Sequence, residues 1–528
     1  MAIHHHTTGP RRGQNISREH SKTLGMTRCV LNLNPTPANV SDADEAPNVL
    51  PVLSSSATNI NSRKLMQVPW DHSGKHPGNR PFWSLLTNTV DIAWSYLFRR
   101  VEIDHEPTHE GGLVYASIHI NGLVDPLAIM KSQSRRIISI GRHDIMTMPV
   151  IGWLTRRMGS QPVIRKAEIE GGFADKELAT KINQRSMLTM ANCIASGHAA
   201  IVMPEGKSHQ DSHLHALRTG PLRFTLNAAS IAHHRGLDNP MIQPVGLHYR
   251  CHHWFRTDIY VEFGEPLIIP LVGEEETHRR VSEGEWIEPP AEHVIPLKEE
   301  LFDKLSPITP DAPDWETYRA WHLLGHRRAN QDGSILSSYK EEVLAAREVR
   351  DSSPTDPVLN KAREVAQILH SHDLDSRSLD SEGRIKRESS FFSAILGSLL
   401  MLLSSPISIP STGLQAFIGW YVGDRTDEGV DARTTHHMIG AVFSPLLMWP
   451  LISFIAGIFV VGLEPVLLAF VILSLPVFHI SNLVFLRGYD LWVDYGDAKR
   501  RNSLANSEEG RRLEEVTTQI DSELVVLK

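Results

Sequence analysis

Short apolar runs alternate with amphipathic stretches through the first half of the chain. Runs rich in Val, Ile and Leu that are bounded by polar residues predict buried strands. They cover residues 113–116, 137–141, 199–203, 241–247 and 259–267. Residues 176–196, between two of these runs, have the pattern of a long helix. The alternation predicts an α/β domain, with a mixed sheet flanked by helices, over residues 67–270.

A stretch of Trp, Leu and Phe at residues 82–100 precedes the first of these strands and ends at Arg99 and Arg100. Such a mixture beside a pair of cations is typical of a helix that lies in the bilayer interface. An amphipathic helix packed on the α/β core would show the same pattern, so both interpretations stay open.

Three longer apolar stretches occupy the C-terminal third of the chain. Residues 439–462 and 466–486 contain no Asp, Glu, Lys or Arg and are long enough to span a bilayer as helices. Residues 391–409 are also apolar, but serine and proline residues at 404–410 interrupt them, which favours a re-entrant or interfacial segment. We therefore predict two spanning helices joined by a tight turn at residues 463–465.

Polar composition sets the remaining boundaries. Residues 1–66 contain too little apolar material to offset the entropy of chain ordering, so we expect them to be disordered. Residues 271–386 are polar and helix-forming, which predicts a helical linker region before the membrane region at 387–490. Arg and Lys residues flank both ends of the membrane region and recur in the tail at 491–528, so both flanks are expected in the cytosol.

Charge and cysteine content exclude several classes of protein. The chain of 528 residues has a formal net charge of −8 and no long basic face, which argues against nucleic acid as a partner. Its three cysteines form no CxxC pair, so neither a disulfide framework nor a cysteine zinc site is predicted. His209, His213 and His215 form a cluster without the usual metal-ligand partners, so no metal and no cofactor is predicted.

Candidate catalytic residues follow two of the predicted strands. His119 and Asp125 come directly after the first strand, and Glu205 follows the run at 199–203. The carboxyl ends of strands are where α/β folds place their chemistry. An imidazole beside a hydroxyl can act as a general base, and a nearby carboxylate can fix its tautomer. The sequence therefore predicts acyl transfer to an alcohol, with His119 and Asp125 as the catalytic residues.

At these positions the chain resembles the glycerolipid acyltransferases, the family that contains glycerol-3-phosphate and lysophosphatidate acyltransferases. The family's blocks occur in order: His119 with Asp125, Gly159 with Arg165, Pro204-Glu205-Gly206, and Pro244 in a final strand. Five residues, where the family commonly has four, separate His119 from Asp125, and Ser208 stands where an Arg is common. Both departures, together with Asn121 and His209, are similar to the fungal-type endoplasmic-reticulum branch, which acylates glycerol-3-phosphate or dihydroxyacetone phosphate.

The resemblance implies transfer of a fatty acyl group from acyl-CoA to the sn-1 hydroxyl of glycerol-3-phosphate, with acyl-CoA as a co-substrate. It implies that Arg165 binds the phosphate, and that substrate binding involves Asn121, Arg165, Glu205, Gly206, Ser208 and His209. It also implies a multi-pass protein of the endoplasmic reticulum membrane, in contact with membrane lipids, whose catalytic domain faces the cytosol. Dihydroxyacetone phosphate or a lysophospholipid as acceptor, and a non-catalytic membrane scaffold, stay open as alternatives, and no oligomeric state is predicted.

Overall fold

The structure, a computed structural model, describes residues 58–388, 391–423, 425 and 431–526. Residues 1–57, most of the region predicted to be disordered, lie outside the described residues. The rest of that region belongs to the folded domain, because Ser62–Leu65 form a short helix, α1, and Leu65 is buried in a cluster that includes Ile182. The boundary predicted at residue 66 therefore lies too late. Composition averaged over a long polar stretch hides a single anchoring leucine.

An eight-stranded sheet lies at the centre of the domain. Its strands are β1 Phe98–Ile103, β2 Leu113–Ser117, β3 Ile137–Arg142, β4 Gln161–Val163, β5 Ala199–Val202, β6 Met241–Tyr249, β7 Thr257–Phe263 and β8 Leu267–Ile268. Their order is β1-β7-β6-β2-β5-β3-β4, with β8 beside β6. The β6-β2-β5-β3-β4 pairs are parallel, whereas β7 and β8 run antiparallel to β6. The predicted mixed sheet is confirmed.

Helices cover the sheet and connect its parallel strands. They are α2 Arg80–Leu97, α3 Val124–Lys131, α4 His143–Thr147, α5 Ile151–Met158, α6 Lys166–Glu170, α7 Lys176–Ala195 and α8 Gly220–His234. Helix α2 buries Trp83, Val90 and Trp94 in the main hydrophobic core, as one of the two interpretations proposed. The predicted extension of this helix to Arg100 is wrong, because residues from Phe98 onward pair with β7 as β1.

The region predicted as a linker is a packed layer of helices. It contains α9 Glu275–Ser282, α10 Ala291–Leu305, α11 Trp315–Gln331, α12 Tyr339–Asp351 and α13 Asp356–Ser371. Arg250 at the end of β6 donates two hydrogen bonds of 2.7 Å to Glu342 of α12. Burial alone would raise the pKa of Glu342, but hydrogen bonds from His326 and Arg250 outweigh it and lower that pKa to about 2. Buried charge pairs of this kind fix the layer to the sheet, which a spacer would not require.

The chain's C-terminal segment packs on the same layer. Helix α19, Glu508–Val526, contributes Leu513, Val516 and Ile520 to a second hydrophobic core with residues of α11 and α13. The buried Arg327 side chain donates to Asp521 at 2.7 and 2.9 Å. The segment predicted as a cytosolic tail is therefore part of the helical layer, a packing that basic composition alone does not predict.

Three apolar helical stretches separate this layer from α19. Their elements are α14 Phe391–Ser408, α15 Leu414–Gly423, α16 Asp431–Phe443, α17 Trp449–Val461 and α18 Val466–Ala505, with π-helical turns at Ile409–Gly413 and Ser444–Met448. The stretches Phe391–Gly423, Thr434–Val461 and Val466–Ala505 are each long and apolar enough to cross a membrane. Large apolar side chains such as Phe459 and Leu473 project outward, with 85% and 68% of their surface exposed. An apolar surface of this size indicates a membrane-associated protein.

The first stretch differs from the predicted broken segment, because α14, the π-helical turn and α15 are continuous despite Pro406 and Pro410. The start of this stretch lies beside the part of α18 that contacts the α/β domain. There the Trp492 indole N–H donates to the Ser398 hydroxyl at 3.0 Å. Its end lies beside the start of α16, where Gly419 packs against the His436 carbonyl. Both ends therefore lie on the α/β side, which favours a segment that enters and returns. The re-entrant topology stays a prediction, since the length also suffices for crossing.

Candidate active site

His119 and Asp125 meet at the carboxyl edge of the sheet. Strand β2 delivers His119 to this edge, and a turn through Gly122, whose φ is +36°, leads into α3, which carries Asp125 in its first turn. The His119 Nδ1 atom lies 3.0 Å from Asp125 Oδ2. Nδ1 therefore carries the hydrogen that Asp125 accepts, which leaves the lone pair of Nε2 available as a base. The described residues include no partner for Nε2.

Asp125 is held by two further donors. The Asn121 backbone N–H donates to Oδ2 at 2.7 Å, and the Tyr249 hydroxyl donates to Oδ1 at 2.7 Å. Complete burial, and then the neighbouring Asp125 charge, raise the pKa of Tyr249 well above its usual value, so its hydroxyl keeps its proton. Both oxygens of Asp125 are thus fixed, and the carboxylate can hold the His119 ring in one orientation.

The side chain of Glu205 holds the same turn by accepting hydrogen bonds from the turn's backbone. It follows β5, which pairs in parallel with β2, so the two strand ends lie side by side. Its Oε2 accepts the His119 backbone N–H at 2.9 Å, while Oε1 accepts from the His215 backbone N–H at 2.7 Å and from His209 Nε2 at 2.8 Å. The Glu205 side chain has no exposed surface. The carboxylate therefore braces the catalytic turn and does not face an incoming substrate.

The other predicted residues of this loop divide into buried and open positions. His209 is buried, and its backbone N–H donates to the His119 carbonyl at 3.0 Å, so it supports the turn. Gly206 is exposed with φ of +78°, a conformation that favours glycine. Ser208 is exposed too. Of the predicted set, Gly206 and Ser208 are therefore the positions that a substrate could approach from solvent.

An exposed cation lies beside Gly206. A Cβ atom added at Gly206 would be 3.3 Å from Arg218 Cγ, and the Arg218 backbone N–H donates to the Pro204 carbonyl at 2.6 Å. The Arg218 guanidinium has no acidic partner among the described residues. Arg223, by contrast, pairs with Glu288 at 2.8 Å. Arg218 is thus a cation next to the Glu-Gly turn that no acidic side chain of the described residues engages.

Arg165 lies farther along the same edge. It follows β4, three strand positions from β2 in the order β2-β5-β3-β4, or about 14 Å at the usual spacing of about 4.8 Å between strands. Its Nε donates to Glu168 at 2.7 Å, and Glu168 is buried. The structure thus places Arg165 on the catalytic edge but already engaged with a carboxylate.

Asn121 connects the catalytic turn to two other parts of the chain. Only 1% of its surface is exposed. Its Nδ2 donates to the His252 carbonyl at 2.9 Å, and its Oδ1 accepts from the Thr434 hydroxyl at the start of α16. The neighbouring Thr435 hydroxyl accepts from the Leu123 N–H at 3.2 Å. Asn121 is therefore an internal brace that joins the turn to a helical stretch long and apolar enough to cross a membrane.

Sequence reasoning missed Tyr249 and Thr434. A signal existed for Tyr249, because extending the last apolar strand by two residues beyond 247 places this tyrosine at the carboxyl end of β6, next to β2. No signal existed for Thr434, which is distant in sequence and belongs to no motif.

This geometry agrees with the family comparison. Residues 99–248 match the family model described as Acyltransferase, so this part of the chain is similar to acyltransferase domains. The match spans β1 to the end of β6 and includes the His119–Asp125 pair, Arg165 and Glu205.

Among solved structures, the chain is similar to the 1-acyl-sn-glycerophosphate (LPA) acyltransferase PlsC from Thermotoga maritima. The identity is 17%, the TM-score is 0.27, and the alignment covers 42% of this chain and 81% of that chain. A likeness at this level carries no argument about substrate. No curated protein matches the chain.

Proposed function

We propose that the protein transfers a fatty acyl group from acyl-CoA to the sn-1 hydroxyl of glycerol-3-phosphate, giving lysophosphatidate. The observation that carries this proposal is the His119 ring, which Asp125 fixes through Nδ1 while Nε2 stays open at the carboxyl edge. A base with one fixed tautomer is what a weakly acidic alcohol needs, because the hydroxyl must lose its proton as it attacks.

The reaction needs no cofactor. His119 Nε2 removes the proton of the acceptor hydroxyl while that oxygen attacks the thioester carbonyl of acyl-CoA. The carbon–sulfur bond then breaks, and the protonated His119 returns the proton to the leaving sulfur, which departs as the thiol. A covalent acyl-enzyme is unnecessary, since the thioester is already an activated donor. Asp125 stabilises the imidazolium that forms between these steps.

The acceptor's phosphate requires cations near the base. Arg218 is available beside Gly206, and Arg165 lies at the end of β4, where it would exchange its hydrogen bond to Glu168 for the phosphate. We assign the phosphate to both side chains, because charge-assisted bonds from guanidinium groups are the strong ones. Gly206 and Ser208 would line the acceptor position between Arg218 and the catalytic turn.

Contacts between the candidate site and an apolar helical stretch support a location at a lipid surface. Thr434 and Thr435 begin a stretch long enough to cross a bilayer, and they contact the catalytic turn directly. An acyl-CoA chain and a lysophosphatidate product are amphipathic, so a site at this level can exchange both with the bilayer. We place the protein in the endoplasmic reticulum membrane with its catalytic domain toward the cytosol, where acyl-CoA is available.

An acceptor panel tests the proposed activity. Purified full-length protein in lipid nanodiscs would receive labelled acyl-CoA with glycerol-3-phosphate, dihydroxyacetone phosphate or a lysophospholipid. We expect the highest kcat/KM with glycerol-3-phosphate. A preference for either other acceptor would keep the acyltransferase activity but replace glycerol-3-phosphate as the substrate. No transfer to any acceptor would favour the scaffold alternative.

Accessible tags test the proposed topology. Epitope tags at the N-terminus and after Lys528 should both be accessible in sealed microsomes, because two spanning helices return the chain to the side on which it entered. Protection of one tag only would show that Phe391–Gly423 crosses the membrane.

A further inference from the structure

We propose that His233, Glu275 and His278 bind a divalent transition metal ion, with Zn²⁺ as the ion best suited to the ligands, where α8 contacts α9. His233 lies in the last turn of α8, and Glu275 and His278 belong to α9. Helix α8 ends just before β6 begins, so this cluster lies at the amino edge of the sheet, opposite the catalytic edge. The proposal is independent of the proposed acyl transfer.

The distances within the cluster fit a shared cation better than hydrogen bonds. Glu275 Oε2 lies 3.4 Å from His233 Nε2 and 3.6 Å from His278 Nδ1. The hydrogen bonds of proteins are usually about 2.7–3.2 Å long. Ligands held about 2.0–2.2 Å from a tetrahedral zinc ion lie about 3.4 Å from one another. All three ligand atoms fall within 4.8 Å of each other.

The hydrogen-bond geometry of the buried His278 ring gives a second argument. Its Nε2 lies 3.2 Å from the Val272 carbonyl, which can only accept, so Nε2 carries a hydrogen. The Nδ1 atom of the same ring faces the Glu275 carboxylate at 3.6 Å. This Nδ1 has no hydrogen-bond partner among the described residues, and only 3% of the His278 surface is exposed. A cation between the two groups removes their repulsion.

Outer partners orient two of the three ligands. The Val272 carbonyl fixes the His278 tautomer, as backbone carbonyls do for histidines bound to metals. His234 Nδ1 lies 3.2 Å from Glu275 Oε1 and leaves Oε2 directed toward the other two ligands. The set of two imidazoles and one carboxylate is one that binds zinc in other proteins, with a water completing the tetrahedron.

The chain contains a matched cluster that lacks these properties. His215 Nε2 lies 2.8 Å from Asp211 Oδ2, a normal hydrogen bond. His209 donates from Nε2 to Glu205 and accepts from the Asp211 N–H at Nδ1, so both of its nitrogens are used. In this second cluster both His209 nitrogens and His215 Nε2 already have hydrogen-bond partners, and we expect it to bind no metal tightly.

Metal binding to purified full-length protein in detergent tests the proposal. After chelation, Co²⁺ titration followed by visible absorbance should show one tetrahedral site per chain, and Zn²⁺ should displace the signal. We expect His233→Gln and Glu275→Gln to weaken Zn²⁺ affinity by about a hundredfold or more, since even outer partners are worth about 10- to 100-fold. The His233 and Glu275 side chains are 49% and 69% exposed, so both variants should fold.

Two controls make the outcome decisive. His215→Gln should bind Zn²⁺ as the unsubstituted protein does, and the histidines at residues 4–6 are present in every variant. Zn²⁺ should also raise the thermal midpoint of the unsubstituted protein but not that of Glu275→Gln, because the ion would fasten α9 to α8. Absence of a tetrahedral Co²⁺ signal, unchanged Zn²⁺ affinity in both cluster variants, or loss of binding in His215→Gln would each overturn the proposal.

Discussion

The turn after β2 and the loop after β5 each contain a carboxylate without exposed side-chain surface, yet they use it differently. Asp125 in the first accepts from an imidazole, a backbone N–H and a phenol, and so fixes the ring of His119. Glu205 in the second accepts two backbone N–H groups and the His209 ring, and so fixes the path of the chain. Burial alone therefore does not identify a catalytic carboxylate. Its donors distinguish the two, since of these two carboxylates only Asp125 contacts the imidazole that we propose as the base.

The strongest test of the difference between the two carboxylates is Asp125→Asn. The amide can present an N–H to His119 Nδ1 and select the wrong tautomer, while its volume is unchanged. We expect kcat for acyl transfer to fall by about 10³- to 10⁴-fold with little change in the thermal midpoint. A loss below tenfold in a steady-state assay would remove Asp125 from the mechanism.

Glu205→Gln should show the opposite balance between stability and activity, with a larger loss of stability and a smaller loss of kcat than Asp125→Asn. The amide nitrogen cannot accept, so at least one charge-assisted hydrogen bond of the turn is lost, at a cost of about 1.5–3 kcal/mol in the free energy of unfolding. Activity should fall less than in Asp125→Asn, by about 10- to 100-fold, because His119 keeps its own carboxylate. Thermal unfolding and kcat measured on both variants give the comparison. Unchanged stability in Glu205→Gln would mean that Glu205 is not a brace.

Arg218→Ala and Arg165→Ala should weaken acceptor binding and leave the roles of Asp125 and Glu205 unchanged. Loss of a charge-assisted contact to the phosphate should raise KM for the phosphorylated acceptor by about 10- to 100-fold and leave KM for acyl-CoA unchanged. Arg223→Ala is the matched control, because Arg223 is paired with Glu288. Equal changes in both KM values would assign the two arginines a structural role.

Tyr249→Phe should give the smallest effect. It removes one of the three donors to Asp125 and leaves the His119 contact in place. The lost hydrogen bond to a carboxylate should cost about 1.5–3 kcal/mol in the free energy of unfolding, but we expect kcat to fall by about tenfold or less because the His119 contact remains. A loss as large as that of Asp125→Asn would show that the hydroxyl has a further role.

The same comparison shows what the sequence could predict. His119 and Asp125 are six positions apart, so one turn brings them together and their chemistry can be inferred locally. The partners of Glu205 are mainly backbone N–H groups, which no residue type signals, and a substrate-binding role was predicted where the structure shows a brace. Asn121 is a second residue predicted to bind substrate that the structure shows as a brace. Its contact with Thr434 joins residues more than 300 positions apart, which no local pattern signals.

The layers of the fold also divide into elements that a local pattern predicts and elements that depend on contacts between distant residues. Strands β2, β3, β5 and β6 were predictable because a parallel sheet buries both faces and leaves continuous apolar runs. Composition predicts β1 as the end of a helix, since its residues Phe98, Arg99 and Arg100 continue the composition of α2. It predicts the helical layer as a linker, because the layer's attachment depends on pairs such as Arg250 with Glu342 that polar composition does not distinguish from solvated charges.

The central claim is that His119 Nε2 is the base for acyl transfer. His119→Ala in full-length protein, assayed in nanodiscs with labelled acyl-CoA and glycerol-3-phosphate beside the control His213→Ala, tests it most directly. His213 is an exposed histidine of the loop after β5. We predict that His119→Ala loses at least about 10³-fold in kcat while keeping its thermal midpoint and its place in the membrane, and that His213→Ala stays active. Transfer by His119→Ala within tenfold of the unsubstituted rate would contradict the account.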